Sequence, residues 1–225
     1  MRALGPGSVS SFLKIILDVV YVALWISLGA VAVALLGAWL GGRWWAVPGA
    51  LLALGFVFFF RDPDRPLPTD QSLIVSPADG LVMNVGPAGA DAPAGTWQQI
   101  TIFLSPLDVH VNRAPVSGRV TRVSYKAGQF LPAYKPESGA VNEQSEVWVD
   151  HDGRTAVFRQ VVGLLARRVV TRVVEGDALV VGQRIGVMKF GSRMDVFLPT
   201  NLAVRVRKGE RVVAAETVLA QWDPR

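Results

Sequence analysis

Cysteine is absent from the 225 residues. That excludes disulfide staples, thiolate metal sites and a cysteine nucleophile, and leaves the redox compartment unread. Histidine is almost absent: His110 and His151 are the only two. A histidine-rich metal centre would need both together with carboxylates, so no metal is expected. Charge is scarce in the first sixty residues, where Arg2, Lys14 and Arg43 stand against Asp18 alone. A basic stripe with interleaved aromatics is also missing, despite a net charge of +5, so no nucleic-acid partner is expected. Any catalysis must draw on something other than thiols and metal ions.

What the chain does have is apolar residues, 51% of the total, gathered towards the amino end. Val19 to Leu40 reads VVYVALWISLGAVAVALLGAWL without a charge, and roughly 20 apolar residues suffice to cross a bilayer as a helix. Gly41-Gly42-Arg43 breaks the run, Trp44 and Trp45 suit an interfacial belt, and a second apolar stretch continues to Phe60 before Arg61-Asp62-Pro63. The expectation is a membrane anchor over 1–60, a transmembrane helical hairpin of about 19–40 and 44–60. Arg2 and Lys14 before it, and Arg61 and Arg65 after it, outweigh Arg43 in the turn. The positive-inside rule then puts both ends, and the domain that follows, on the cytoplasmic side of the inner membrane. A cleaved signal peptide would have a shorter apolar core and a small-residue cleavage site.

RDPDRPLPTD, within 61–72, reads as an extended Pro-rich connector. From 73 to 225 the pattern is short apolar runs cut by glycine, several of them alternating, with Asp152-Gly153 marking a hairpin. VVGLLARRVV (161–170) is the one stretch with helical periodicity, and it stays ambiguous. PADGLV (77–82) echoes PVSGRV (115–120), and GDALVVGQRIG (176–186) echoes KGERVVAAETVLA (208–220). These phrases look like the hammerhead turns of lipoyl-like barrel-sandwich domains. The expected fold is therefore mainly β, a barrel-sandwich or lipoyl-like hybrid domain behind the helical hairpin.

Gly191-Ser192 taken alone is an ordinary turn dipeptide. Its neighbours change the reading. FLSPLDVHVNRAPVSG (103–118), SPADG (76–80) and GQRIGVMKFGSRMDVFLP (182–199), with RDPDRPLP, NEQSE and VVGLLARR, together closely resemble the short, bacterial and archaeal type of phosphatidylserine decarboxylase. The resemblance extends over nearly all of the chain from Arg61 onward.

It implies a decarboxylase that makes its own pyruvoyl group. Loss of carbon dioxide from an α-carbon needs an electron sink that no ordinary side chain supplies. A ketone at a chain terminus can serve by forming a Schiff base with the substrate amine. In this resemblance Ser192 attacks the carbonyl of Gly191, the chain is cut between 191 and 192, and the two chains stay together. His110 is assigned as base and Asp79 as orienting carboxylate. The larger members of the family carry a second histidine where Arg113 stands here, so the step served by His110 is open. Arg113, Lys135, Arg193 and Asn112 are candidates for the substrate's carboxylate or phosphate, with Glu143 weaker, and Arg193 replaces the Thr or Ser of the larger enzymes. His151, beside the Asp-Gly turn, reads as an exposed loop residue. The expected partners are a phospholipid substrate, the membrane and a second copy as homodimer.

Three other readings remain at this stage. One is a decarboxylase of another serine phospholipid, such as archaetidylserine. Another is a carrier module modified at Lys189, and the last is a non-catalytic membrane-tethered adaptor.

Overall fold

The computed structural model describes residues 25, 28–39, 41, 44, 46–164, 169–188 and 192–223. Of the expected hairpin, residues 19–24, 26, 27, 40, 42, 43 and 45 lie outside the described residues, as do Lys189, Gly191 and residues 165–168. The chain divides into two units, Met1–Pro63 and Asp64–Arg225.

In the first unit, residues 28–39 are helical and a second helix spans Ala46–Phe59. They meet through small residues. A Cβ on Gly49 would lie 2.4 Å from that of Ala34 and 3.0 Å from the Ala30 carbonyl, the close approach that glycine and alanine permit between helices. Outward-facing positions are apolar on both, with Trp39 81%, Leu35 66% and Leu54 65% exposed. The second helix has 14 residues where a span needs about 20. Among the described residues, no helix is long and apolar enough to cross a membrane.

The second unit is built from strands, as the alternation and the abundance of valine require. Its largest sheet holds eight: β2 (Gly80–Pro87), β3 (Trp97–Leu104), β5 (Gly118–Lys126), β6 (Gln144–His151), β7 (Arg154–Val161), β9 (Ala178–Leu179), β11 (Ser192–Pro199) and β12 (Arg211–Val212). Their order is β12-β2-β3-β11-β7-β6-β5-β9. Two small sheets complete the unit. β4 (Val111–Arg113), β10 (Arg184–Val187) and β8 (Val170–Thr171) form one; β1 (Leu73–Val75) and β13 (Val218–Gln221) form the other. One continuous core joins inward residues of all three, among them Ile74, Ile102, Phe158, Ile185, Met194 and Leu219. The 161–170 stretch, ambiguous in sequence, ends β7 and leads into β8.

The sequence echoes mark a duplication with a two-fold relation. Gly80 opens β2, which pairs with β12, and Gly118 opens β5, which pairs with β9. β1 pairs with β13 as β4 pairs with β10. The hydrogen bonds repeat as well. The Val82 amide donates to the Glu210 carbonyl and the Val82 carbonyl accepts from the Gly209 amide, while Val120 does the same with Asp177 and Gly176. Where the halves meet, the Val75 amide donates to the Pro115 carbonyl at 2.9 Å and the Arg113 amide to the Pro77 carbonyl at 2.8 Å. Asp79 and Ser117 occupy equivalent places, each accepting one backbone amide, from Ala214 and Val181 respectively.

His151 is a correction. It ends β6, stacks on Trp222 at 5.5 Å with a 7° interplanar angle, and its Nδ1 lies 2.8 Å from the Ser117 carbonyl. A ring that stacks so well against a buried indole is a packing element of the β unit.

Candidate active site

Ser192 is the first residue of β11, between β3 and β7 in the large sheet. It pairs with Leu104, the last residue of β3. Four residues before it is Met188, whose amide donates to the His110 carbonyl at 3.0 Å; residues 189–191 lie outside the described set. Leu104 and His110 are themselves joined by one short turn. Ser192 is thus paired to one end of the 104–110 segment and Met188 to the other.

Side-chain direction follows from strand alternation. Ser192, Met194, Val196 and Leu198 face the core, as does Gln160, which pairs with Met194. Gln160 Nε2 donates to Asn112 Oδ1 at 2.8 Å, so Asn112 reaches inward from β4 towards the same space. His110, two residues before Asn112, shares its side. The fold thus brings Ser192, His110 and Asn112 to one end of the space between the large sheet and the β4 sheet.

All three are buried: Ser192 and Asn112 at 0% and His110 at 2% exposure. The His110 Nδ1 lies 2.8 Å from the Asp108 carbonyl. A carbonyl can only accept, so Nδ1 carries the proton and the lone pair of the neutral ring sits on Nε2. The turn supplying that carbonyl is itself fixed. Asp108 Oδ2 accepts the Ser105 amide at 2.8 Å and its Oδ1 accepts from Arg211. Ser192 Oγ has no hydrogen-bond partner among the described residues, and neither has Asn112 Nδ2. Buried polar atoms without partners are uncommon, and each calls for an explanation.

The remaining candidates are placed differently. Asp79 forms a bidentate pair with Arg65, at 2.6 and 2.7 Å, and accepts the Ala214 amide at 2.8 Å. Its described partners do not include His110. Arg113 is 3% exposed on β4, with Nη1 donating to the Gly182 carbonyl at 3.2 Å. Arg193 is 6% exposed and its Nε donates to Asp195 at 2.8 Å. Glu143 is buried and accepts the Val169 amide. Lys135 is exposed, on the segment between β5 and β6.

Sequence reasoning passed over Arg65, Asp108 and Asp195. Arg65 carried a signal, a lone cation bracketed by prolines that fix its backbone. Asp195 carried another, an acid two places after an arginine inside an otherwise apolar run. Asp108 carried none beyond its place in DVHVN.

A buried serine at a strand start and a buried histidine whose Nδ1 faces a carbonyl, held in a mainly β unit, define the class: a β protein with the residue types of a candidate enzyme site. Comparison with known proteins agrees. A family profile described as phosphatidylserine decarboxylase matches residues 52–220. The chain is 43% identical over 205 residues to the phosphatidylserine decarboxylase proenzyme of Solibacter usitatus, covering 91% of this chain and 97% of that protein. It is 44% identical to the proenzyme of Erythrobacter litoralis, with 84% and 82% covered, and 46% identical to that of Symbiobacterium thermophilum, with 79% and 84% covered. The chain belongs to the phosphatidylserine decarboxylase family.

Proposed function

We propose that the chain is a lyase converting phosphatidylserine to phosphatidylethanolamine and carbon dioxide, with a pyruvoyl group made from its own Ser192. The observation that carries this is Ser192 Oγ, wholly buried and without a hydrogen-bond partner among the described residues, in a chain of this family.

Ser192 Oγ attacks the carbonyl carbon of Gly191 while its proton passes to His110 Nε2. The 191–192 C–N bond breaks and an ester forms. Elimination across Cα–Cβ of residue 192 frees the Gly191 carboxylate, and addition of water releases ammonia. The pyruvoyl group so made supplies the electron sink for decarboxylation. His110 then stands beside the substrate's reacting carbon to hold or return a proton.

Asn112 Nδ2 offers a buried donor, and Lys135 an exposed cation on the segment between β5 and β6, for the substrate's carboxylate or phosphate. Arg113 and Arg193 enter with guanidinium groups already engaged. Asp79 acts through the turn it locks to Arg65 and Ala214: the Pro77 carbonyl of that turn accepts the Arg113 amide, three residues past His110. The domain keeps the lipoyl-like barrel-sandwich reading, supported by the two-fold duplication.

The membrane hairpin, with the domain on the cytoplasmic face of the inner membrane, belongs to the same proposal. It is supported by the charge-free run over 19–40, the apolar exteriors of both helices and the cations flanking them. Exposed Leu107 and Leu164, on loops at the Ser192 end of the sheet, suit a site that meets lipid. A homodimer is part of this reading.

The test is release of carbon dioxide from vesicles of carboxyl-labelled phosphatidylserine by the reconstituted full chain. Turnover without added metal or pyridoxal phosphate, blocked by hydroxylamine, is expected. No release, or release that hydroxylamine leaves untouched, contradicts the reading.

A further inference from the structure

The two charged residues closest after Ser192 take no part in the steps above. Alternation along β11 turns Arg193 and Asp195 to the face opposite Ser192. There Asp195 is fully buried, its Oδ1 accepting from Thr101 Oγ1 at 2.9 Å and from Arg193 Nε at 2.8 Å. Arg193 carries the contact onward. Its Nη1 lies 3.4 Å from both the Pro136 carbonyl and Ser138 Oγ, on the segment between β5 and β6. Gly139 leaves the room: a Cβ there would stand 2.9 Å from Arg193 Nη2. One ion pair therefore ties β3, β11 and the 136–138 segment together, within three residues of the cleavage point.

Before cleavage, Ser192 is held by chain on both sides. Afterwards it is a chain terminus, and termini fray unless something ties them down. Backbone pairing gives residue 192 one partner strand, through Leu104, and the described β7 ladder begins only at Arg193. A buried ion pair is suited to the task, since neither partner can leave without stranding the other in a poorly solvating interior.

We propose that Arg193 and Asp195 are positioning residues that hold the new amino end in place after the 191–192 bond breaks, keeping the carbonyl at residue 192 buried beside His110. This rests on the processing proposed above.

The test uses the full-length membrane preparation carrying Asp195→Asn, with Thr101→Val alongside. Two quantities are read: the extent of self-cleavage, and the rate at which hydroxylamine derivatises the residue-192 carbonyl without substrate. Asp195→Asn is expected to cleave as the wild type does. Its carbonyl should react about tenfold faster or more, as expected when a charge-assisted hydrogen bond that closes the terminus is lost. Thr101→Val, which removes one bond and no charge, should give about threefold.

A cleaved Asp195→Asn chain whose carbonyl reacts at the wild-type rate overturns the proposal. So does failure of both variants to cleave, which would place the work of the pair before bond breaking. A wild type that carries no carbonyl overturns the processing itself and this inference with it. A wild type that carries one, with no acceleration in either variant, overturns this inference alone.

Discussion

At the scale of the residue, the account turns on which nitrogen of His110 can take a proton. The Asp108 carbonyl fixes a hydrogen on Nδ1, so in the neutral ring Nε2 is the nitrogen that can take a proton. Replacing His110 with alanine should slow self-cleavage by about 10²–10⁴, the usual contribution of a positioned general base. Time courses of the cleaved chain on denaturing gels measure it. His151→Ala should leave cleavage unchanged and cost about 1 kcal/mol of stability, the worth of an aromatic stack. Arg65→Ala breaks a pair whose side chains are 7% and 15% exposed, and should cost about 3–5 kcal/mol in denaturant unfolding.

The residue scale is also where sequence reading reached its limit. Ser192, His110 and Asn112 were legible because each lies in a segment matching a known family. The engagement of Arg113 and Arg193 was not, because a cation's partner comes from strands distant in sequence. Arg193 is bound to Asp195 beside it, but the Thr101 that completes the pair is 94 positions away. His151 misled for a similar reason: its turn is local, while the indole it stacks on is 71 residues further along.

At the scale of the element, the duplicated turn is the organising device. Gly80 and Gly118 each begin a long strand where another backbone passes. A Cβ on Gly80 would fall 2.2 Å from the Phe103 carbonyl oxygen, and one on Gly118 would fall 2.2 Å from that of Asp150. Backbone cannot give as a flexible side chain can. Gly80→Ala and Gly118→Ala should each cost about 3 kcal/mol or more, seen as a lower unfolding midpoint. The echo between PADGLV and PVSGRV was legible as a repeated turn before a strand; that the two turns are related as halves of a duplication lay in the strand pairing, not in the sequence. The pairing partners of those strands were less open to reading. β12 and β9 have two residues each, too short for a periodic signal.

At the scale of the whole molecule, cleavage need not release anything. The segment from residue 192 onward supplies β11, inserted between β3 and β7, then β12 on β2 and β13 on β1. Met194, Val196, Phe197 and Leu198 are each fully buried. At about 1.5–3 kcal/mol apiece, their burial amounts to roughly 6–12 kcal/mol, comparable to the entire stability of an ordinary domain. The two chains should therefore co-purify through native chromatography and part only in denaturant. Separation under native conditions would contradict the role given to β11.

Everything above depends on Ser192 becoming a carbonyl at a new chain end. Intact mass spectrometry of the purified wild type, with Ser192→Ala beside it, tests that most directly. The account predicts two wild-type chains, the second starting at residue 192 and lighter by one ammonia than simple hydrolysis would leave it, and a single uncut chain for the variant. A wild type that stays full length when folded and reconstituted in membranes, or a second chain with the mass of plain hydrolysis, would contradict it.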